Sequence, residues 1–434
     1  MALPASDPAI ASARRFASLD FTPVKSYTCE TMNVPQTRYL DRTTPPHLST
    51  LILIAGLSAL SMNIFLPSLP NMAAYFEVDY AVMQLSVALY LGASAVLQVI
   101  VGPLSDRFGR RRLLLGSMAL FALASIGTLL APTIEVFLVC RIGQAVIATG
   151  MVLSRAIARD MVDEAQAASM IGYLTMGMAV VPMLGPLVGG MLDEAFGWKA
   201  SFTMLFLAGL LVMALTWVDL GETSIRHHAS FRAQFRDYPA LLTSPRFWGY
   251  VMSASLTSGV FFAYLGGAPF VGTEIYGLSP TWLGVYFAAT AVGYALGNFF
   301  SGRFSVRVGV NPMILYGTLV VSAGLSVLAV MLALGLAPAP VFFGLFFFVG
   351  LGNGLVLPNA TAGMLSVRPH LAGTASGLGG AIMIGGGAGL AGLAGALLTP
   401  GSTAWPLVLI MLTSSLLSVV AIIYVIRRAR RIGA

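Results

Sequence analysis

The stretch Gly102–Arg112, GPLSDRFGRRR, sets one aspartate and four arginines between two long apolar runs. That density is out of keeping with the chain as a whole, which is 434 residues long, 9% charged and 57% hydrophobic. A soluble domain needs a polar coat that this composition does not supply. The flanking runs have roughly the 18–25 residues of a bilayer-crossing helix. A basic cluster between two such runs reads as a short loop on the cytoplasmic face, where Lys and Arg accumulate.

Working outward from that loop, the apolar pattern resolves into twelve spans, at about 48–70, 81–103, 113–131, 134–155, 168–191, 201–219, 247–267, 281–301, 312–334, 340–361, 372–397 and 404–426. With the N-terminus inside, cytoplasmic connections and the C-terminal tail carry seventeen arginines, among them Arg155, whereas outer loops carry one cation, Lys199. Acids show no such bias, and the asymmetry places both termini in the cytoplasm. The chain then divides into a disordered tail at 1–46, a six-helix half at 47–220, a central cytoplasmic loop at 221–246, a second six-helix half at 247–426 and a basic tail at 427–434. Met32 is a second candidate start, since the patterned region begins near Leu48.

The two halves repeat one another at an offset of 200 residues. Gly102, Ser105, Arg107 and Gly109 align with Gly302, Ser305, Arg307 and Gly309, while Gly177, Met183, Gly185 and Gly189 align with Gly377, Met383, Gly385 and Gly389. Parallel repeats of this kind place a substrate site between the halves near the bilayer midplane. The expected fold is an all-α membrane protein of twelve transmembrane helices in two pseudo-symmetric six-helix halves.

Several function classes are excluded. The two cysteines, Cys29 and Cys140, have neither disulfide nor metal-ligand spacing. There is no GxxxxGK[ST] phosphate loop, no HExxH and no GxSxG, which argues against an ATP-driven pump and against an enzyme. The net charge of +7 is spread between apolar runs and serves orientation, with no nucleic-acid partner implied. No cofactor is called for.

In the 102–112 loop, Gly102 and Pro103 are expected to end one helix and Gly109 to allow a tight turn. Asp106 is expected to cap a helix or pair with an arginine, and Arg107, Arg110 and their neighbours to meet lipid headgroups or acids such as Asp160. A plain positive-inside anchor accounts for Arg111 and Arg112 but not for the whole pattern of Gly102, Asp106, Arg107, Gly109 and Arg110.

That pattern resembles the signature loop of the major facilitator superfamily, G-x-L-a-D-r-x-G-r-k-x-x-l, and GRFSVRVG at 302–309 resembles its second copy. The resemblance covers about residues 48–430. It implies that Asp106 latches toward the other half and that Arg110 holds span 4. Three further stretches narrow the family, the first of them toward the bicyclomycin/chloramphenicol-resistance (Bcr/CflA) drug exporters. NIFLPSLPNMAAYF ending span 1 is similar to their YLPALP signature. RIGQAVIATG in span 4 is similar to the R-x-x-Q-G motif of proton-linked members, with Ala145 where Gly is usual. GMAVVPMLGPLVGG, with Gly177, Pro182, Gly185, Pro186, Gly189 and Gly190, resembles the motif of antiporters; helix packing on small residues with a proline kink would produce the same pattern.

For the site, Arg141 stands out, because a cation in mid-span needs a wet cavity or a partner. Asn63 lies at a similar depth and is expected to face it, with Gln144 about one turn further in; snorkelling to the surface is the alternative for Arg141. The branch usually has Asp where Asn63 stands, so the proton, the coupling ion implied by the resemblance, lacks its usual carrier. Further cavity candidates are Tyr90, Phe261, Phe262, Tyr264, Tyr286, Asn298, Asn353 and Asn359. Aromatic and Met surfaces suit loosely specified amphipathic ligands. The expected function is export of small amphipathic compounds, such as phenicol-type antibiotics, by proton antiport with alternating access across a bacterial inner membrane, by a monomer in the lipid bilayer. A metabolite facilitator or symporter, and a non-transporting sensor on a transporter scaffold, remain as alternatives.

Overall fold

The computed structural model describes residues 38–161, 170, 174, 181, 184–223, 238–368 and 371–432. Among them, eleven helices are long and apolar enough to cross a membrane. In chain order they are α1 (Leu48–Tyr75), α2 (Tyr80–Phe108), α3 (Arg110–Leu130), α4 (Ile134–Met161), α6 (Lys199–Asp219), α7 (Pro245–Ile275), α8 (Pro280–Val308), α9 (Val310–Ala333), α10 (Ala339–Val367), α11 (Thr374–Leu397) and α12 (Trp405–Arg430). Between α4 and α6, residues 184–196 are helical and are labelled α5; they fall in the span expected at 168–191. Gly177 and Pro182 lie outside the described residues.

The chain is a multi-pass, all-α membrane protein with internal symmetry. In the first half α1 packs on α4 and α6, α2 on α4, and α3 on α4 and α6. In the second half α7 packs on α10 and α12, α8 on α10, and α9 on α10 and α12. Adding six to every label in the first set produces the second. The register is equally regular, because α2 and α8 are both 29 residues long and start and stop 200 residues apart.

Both of those helices end at a glycine with positive φ, Gly109 at 89° and Gly309 at 94°. Each glycine N–H donates to a serine carbonyl four residues back, Ser105 or Ser305, at 2.9 Å, and the next helix starts immediately. A side chain would be strained at such an angle, so glycine sets the corner. Gly102 and Pro103 were expected to stop α2, yet both lie inside it. One proline costs a single i→i−4 bond, and membrane helices tolerate that when neighbours hold them.

Other helices also overrun the lengths expected from hydropathy. α4 continues to Met161, so Arg155 is a helical residue rather than part of a cytoplasmic loop. The basic segment at 427–432, expected as a tail, is helical. Residues 38–46, assigned to a disordered tail, are held against the bundle. The buried Asp219 carboxylate, at the end of α6, accepts the backbone N–H groups of Leu40 (2.7 Å) and His47 (2.9 Å) and the Thr50 hydroxyl (2.7 Å).

The halves meet along α2–α11 and α5–α8. At the end remote from the 102–112 loop the closure is tight. Tyr80 Oη donates to Gly266 O at 2.6 Å, and Thr281 donates twice to Glu194, from Oγ1 at 2.7 Å and from N at 3.2 Å. A Cβ on Gly190 would overlap the Pro280 carbonyl oxygen, and one on Gly284 would sit 2.6 Å from Pro186 O. At the loop end, a Cβ on Gly102 or Gly302 would meet nothing within 4 Å.

Candidate functional site

Arg141 has no exposure at all and does not snorkel. Its guanidinium carbon lies 4.3 Å from the Phe65 ring centre, 4.4 Å from Tyr90 and 5.8 Å from Phe202, an aromatic cage drawn from α1, α2 and α6. Nη1 donates to Gln144 Oε1 at 2.6 Å, and Nη2 reaches Ser61 O at 3.4 Å. Gln144 Nε2 in turn donates to Ser125 Oγ at 2.8 Å, tying α4 to α3. The ring faces carry partial negative charge, so they stabilise a cation where no carboxylate is at hand. Arg141 was expected to face a wet cavity or a partner; in this conformation it has partners, Gln144 and the three rings, and is sealed in the first half.

Asn63 was expected to face Arg141, yet no bond joins them among the described residues. Asn63 Nδ2 donates to Ala59 O on its own helix at 3.0 Å, and its Oδ1 has no partner among the described residues. The side chain is next to Gly185, where an added Cβ would lie 3.7 Å from Asn63 Cβ. The adjoining turn is closer still: a Cβ on Gly189 would overlap the Ile64 carbonyl oxygen. Glycines 185, 189 and 190 therefore let α5 lie backbone-to-backbone on α1 and on α8 together, with Pro186 between them.

The remaining candidates separate into two groups. Tyr264 is fully buried, 4.2 Å from the Phe346 ring centre and 5.0 Å from Phe287, and is core packing rather than cavity wall. Asn353 bridges α10 to Thr257 O on α7 (3.2 Å), and Asn359 bridges it to Ser301 Oγ on α8 (2.8 Å). Phe262 packs against Gly387 of α11, with Phe261 beside it, and Tyr286 stacks on Phe343. These join helix to helix inside the second half. Asn298 is different, since it is partly accessible and donates to the Tyr294 carbonyl at 2.8 Å.

At the 102–112 loop, Arg110 Nη1 meets Asp160 of α4 at 2.6 Å, and Arg111 donates to Leu220 O (2.7 Å) and Trp217 O (2.9 Å) of α6. Asp106, expected as a cap, lies in the last turn of α2. The capping of α3 falls to Glu222, whose carboxylate accepts the Arg110 N–H at 2.8 Å beside Gly109. Among the described residues, no hydrogen bond or ion pair runs from Asp106 or Arg107 to the second half.

Sequence reasoning missed Phe65, Ser61, Ser125 and Phe202 around Arg141, and Asp219 and Glu222 at the helix ends. It also missed Arg155. Its side chain, on α4, is exposed. The signal was present: MVLSRAIARDM (151–161) holds no Gly or Pro to end α4 before it. Among the described residues, no group of three or more His, Cys, Asp or Glu side chains is placed to hold a metal.

Residues 51–392 match the family model described as Major Facilitator Superfamily. The uncharacterized MFS-type transporter YdgK of Bacillus subtilis is 31% identical over 75% of this chain and 82% of its own length. The chloramphenicol resistance protein of Pseudomonas aeruginosa is 31% identical over 82% of this chain and 85% of its own. Among solved structures, the nucleoside transporter NupG matches with a TM-score of 0.69 at 14% identity, covering 87% of this chain and 98% of that one. A bacterial homologue of the lysosomal transporter Spinster, inward-facing and occupied, matches at 0.66 and 17%, covering 88% and 96%. At such identities the two structures speak for the fold alone.

Proposed function

This chain belongs to the Major Facilitator Superfamily, and on that footing we propose that it exports small amphipathic compounds, phenicol-type antibiotics among them, by proton antiport. It is a membrane transport protein with kinship to resistance exporters; the branch resemblance and the resistance protein at 31% identity support the narrower reading. The observation that carries it is the packing of α5. Gly185 and Gly189 press the antiporter-like motif onto α1, and Gly190 presses it onto α8 of the other half, beside the Glu194–Thr281 bonds.

With the arginine-rich loops inside, that closed end is the outer one, and the halves part toward the cytoplasm to take up cargo. Rocking about the interface would then open the outer end. The protein works as a monomer in a bacterial inner membrane, with both termini cytoplasmic. Coupling runs without an acid at position 63. Arg141 is the group whose partners change, exchanging Gln144 and its aromatic cage as the halves move.

The test uses inverted membrane vesicles carrying an acid-inside pH gradient. Adding chloramphenicol, or another amphipathic antibiotic, should discharge the gradient in wild-type vesicles and not with Arg141→Ala. Labelled drug crossing with the gradient intact would make this an uncoupled carrier. Binding without any crossing would make it a sensor.

A further inference from the structure

The seam between α2 and α11 joins the two halves in antiparallel register. A Cβ added to Gly395, Gly392, Gly385 or Gly380 of α11 would meet, in that order, Gln84, Ala88, Ala95 or Gln98 of α2. The two alanine methyl groups would lie 3.6 and 3.7 Å away, so the middle of the seam is small and apolar. A glutamine stands at each side of that middle. The two are about 21 Å apart along one face of α2, at 1.5 Å per residue, and lie on either side of the centre of the apolar span at 81–103.

Their surroundings differ. Gln84 is fully buried, and neither its Oε1 nor its Nε2 has a hydrogen-bond partner among the described residues. Its amide is wedged into the second half. A Cβ on Gly266 of α7 would overlap Nε2, and one on Gly395 would lie 2.7 Å from Cγ and 2.9 Å from Cδ. Tyr80, one turn nearer the closed end on the same face, donates its hydroxyl to Gly266 O; Gln84 makes no such bond. Gln98 is partly accessible, and a Cβ on Gly380 would lie 2.8 Å from its Oε1. Met or Leu at position 84 would fill the same notch without burying a polar group. A buried amide without partners is unfavourable by its desolvation, and it regains hydrogen bonds as soon as water reaches it. Closure at this end therefore works against a penalty that opening relieves.

We propose that Gln84 and Gln98 are a matched pair of gating residues, resting on the export reading only for which end is the outer one. Closure of the outer end strips water from Gln84, and closure of the inner end strips it from Gln98. Rocking about the Ala88–Ala95 stretch exchanges the two amides between water and the seam. Neither closed state is then deep enough to hold the transporter, and the glycines of α11 let each glutamine enter.

The reporter is Ala88→Cys, one turn inward of Gln84 on the seam, in a full chain carrying Cys29→Ser and Cys140→Ser. Its rate of reaction with a membrane-impermeant maleimide is measured on intact cells and in inverted vesicles. Gln84→Met keeps the length of the side chain and removes the amide. It should slow labelling on intact cells about fivefold or more without slowing it in inverted vesicles. Gln98→Met should do the converse, and the double variant should return both rates toward those of the parent. Gln84→Leu repeats the first measurement with a different shape, so that one badly packed side chain does not decide it. Rates unchanged by both replacements of Gln84, or moved in the same direction in both preparations, overturn the proposal, as does Gln98→Met acting in the same sense as Gln84→Met. Slowing by Gln84→Met in inverted vesicles alone, with Gln98→Met again its converse, would leave the glutamine pair standing and sink the sidedness on which the export reading depends.

Discussion

A buried guanidinium must recover what it loses in leaving water. Arg141 recovers it from three rings, Gln144 and Ser61, all within one half. Lysine has neither the planar face nor the fork to replace those contacts. Arg141→Lys should therefore cut substrate-driven flux at least tenfold and lower the unfolding temperature by several degrees, read by vesicle flux and by thermal unfolding of the purified protein. Asn63 lends itself to a converse test. Its Oδ1 has no partner among the described residues, and the side chain is buried, so Asn63→Asp would place a titratable carboxylic acid there. The acid would be neutral at low pH and charged at high pH, whereas asparagine does not titrate. The expected outcome is a pH-dependent step in flux that the wild type lacks; identical pH profiles would show that position 63 takes no part in coupling.

Among the elements, the corner between α2 and α3 depends on two residues far apart in sequence. Gly109 supplies the positive φ, and Glu222, arriving after α6, supplies the negative charge that the N-terminus of α3 favours. Glu222→Ala should cost about 0.5–1 kcal/mol through the lost cap. Gly109→Ala should cost more, of order 1–3 kcal/mol, because the backbone is strained as well and the new Cβ meets the Glu222 carboxylate. Denaturation of the two variants in matched detergent gives the order; equal losses would mean that the cap alone matters.

For the molecule as a whole, the balance between its two openings rests on few polar contacts. Tyr80 to Gly266 and Thr281 to Glu194 cross between the halves at the closed end. The neutral Tyr80–Gly266 bond is worth about 1 kcal/mol net, the exposed bonds to the Glu194 carboxylate are screened by solvent, and about 1.4 kcal/mol moves an equilibrium tenfold. Glu194→Gln combined with Thr281→Val should shift the population several-fold toward the state open at that end. Labelling by a membrane-impermeant maleimide of a cysteine introduced at Gln84, which is buried against Gly266 and Gly395 of the second half, should then speed up on intact cells. An unchanged rate would place the balance in apolar packing instead.

The sequence by itself determined what repeats and what is local. The number and order of spans follow from apolar run length, and the turns at Gly109 and Gly309 follow from a residue type that alone tolerates their φ. The 200-residue offset, readable in four aligned positions around each turn, reappears as two sets of equivalent helix contacts. The helix ends were less legible, because hydropathy marks where the bilayer stops while backbone hydrogen bonding continues; α4 runs past Arg155 for that reason. What only the tertiary structure decided are pairings between distant segments: the rings that close over Arg141, the bonds of Asn353 and Asn359 within the second half, and the reach of Glu222 to α3. In a bilayer, apolar burial does not distinguish one neighbour from another, so such choices are made by close packing and by the few polar groups that must find partners. Those depend on geometry between helices, which no span read alone contains.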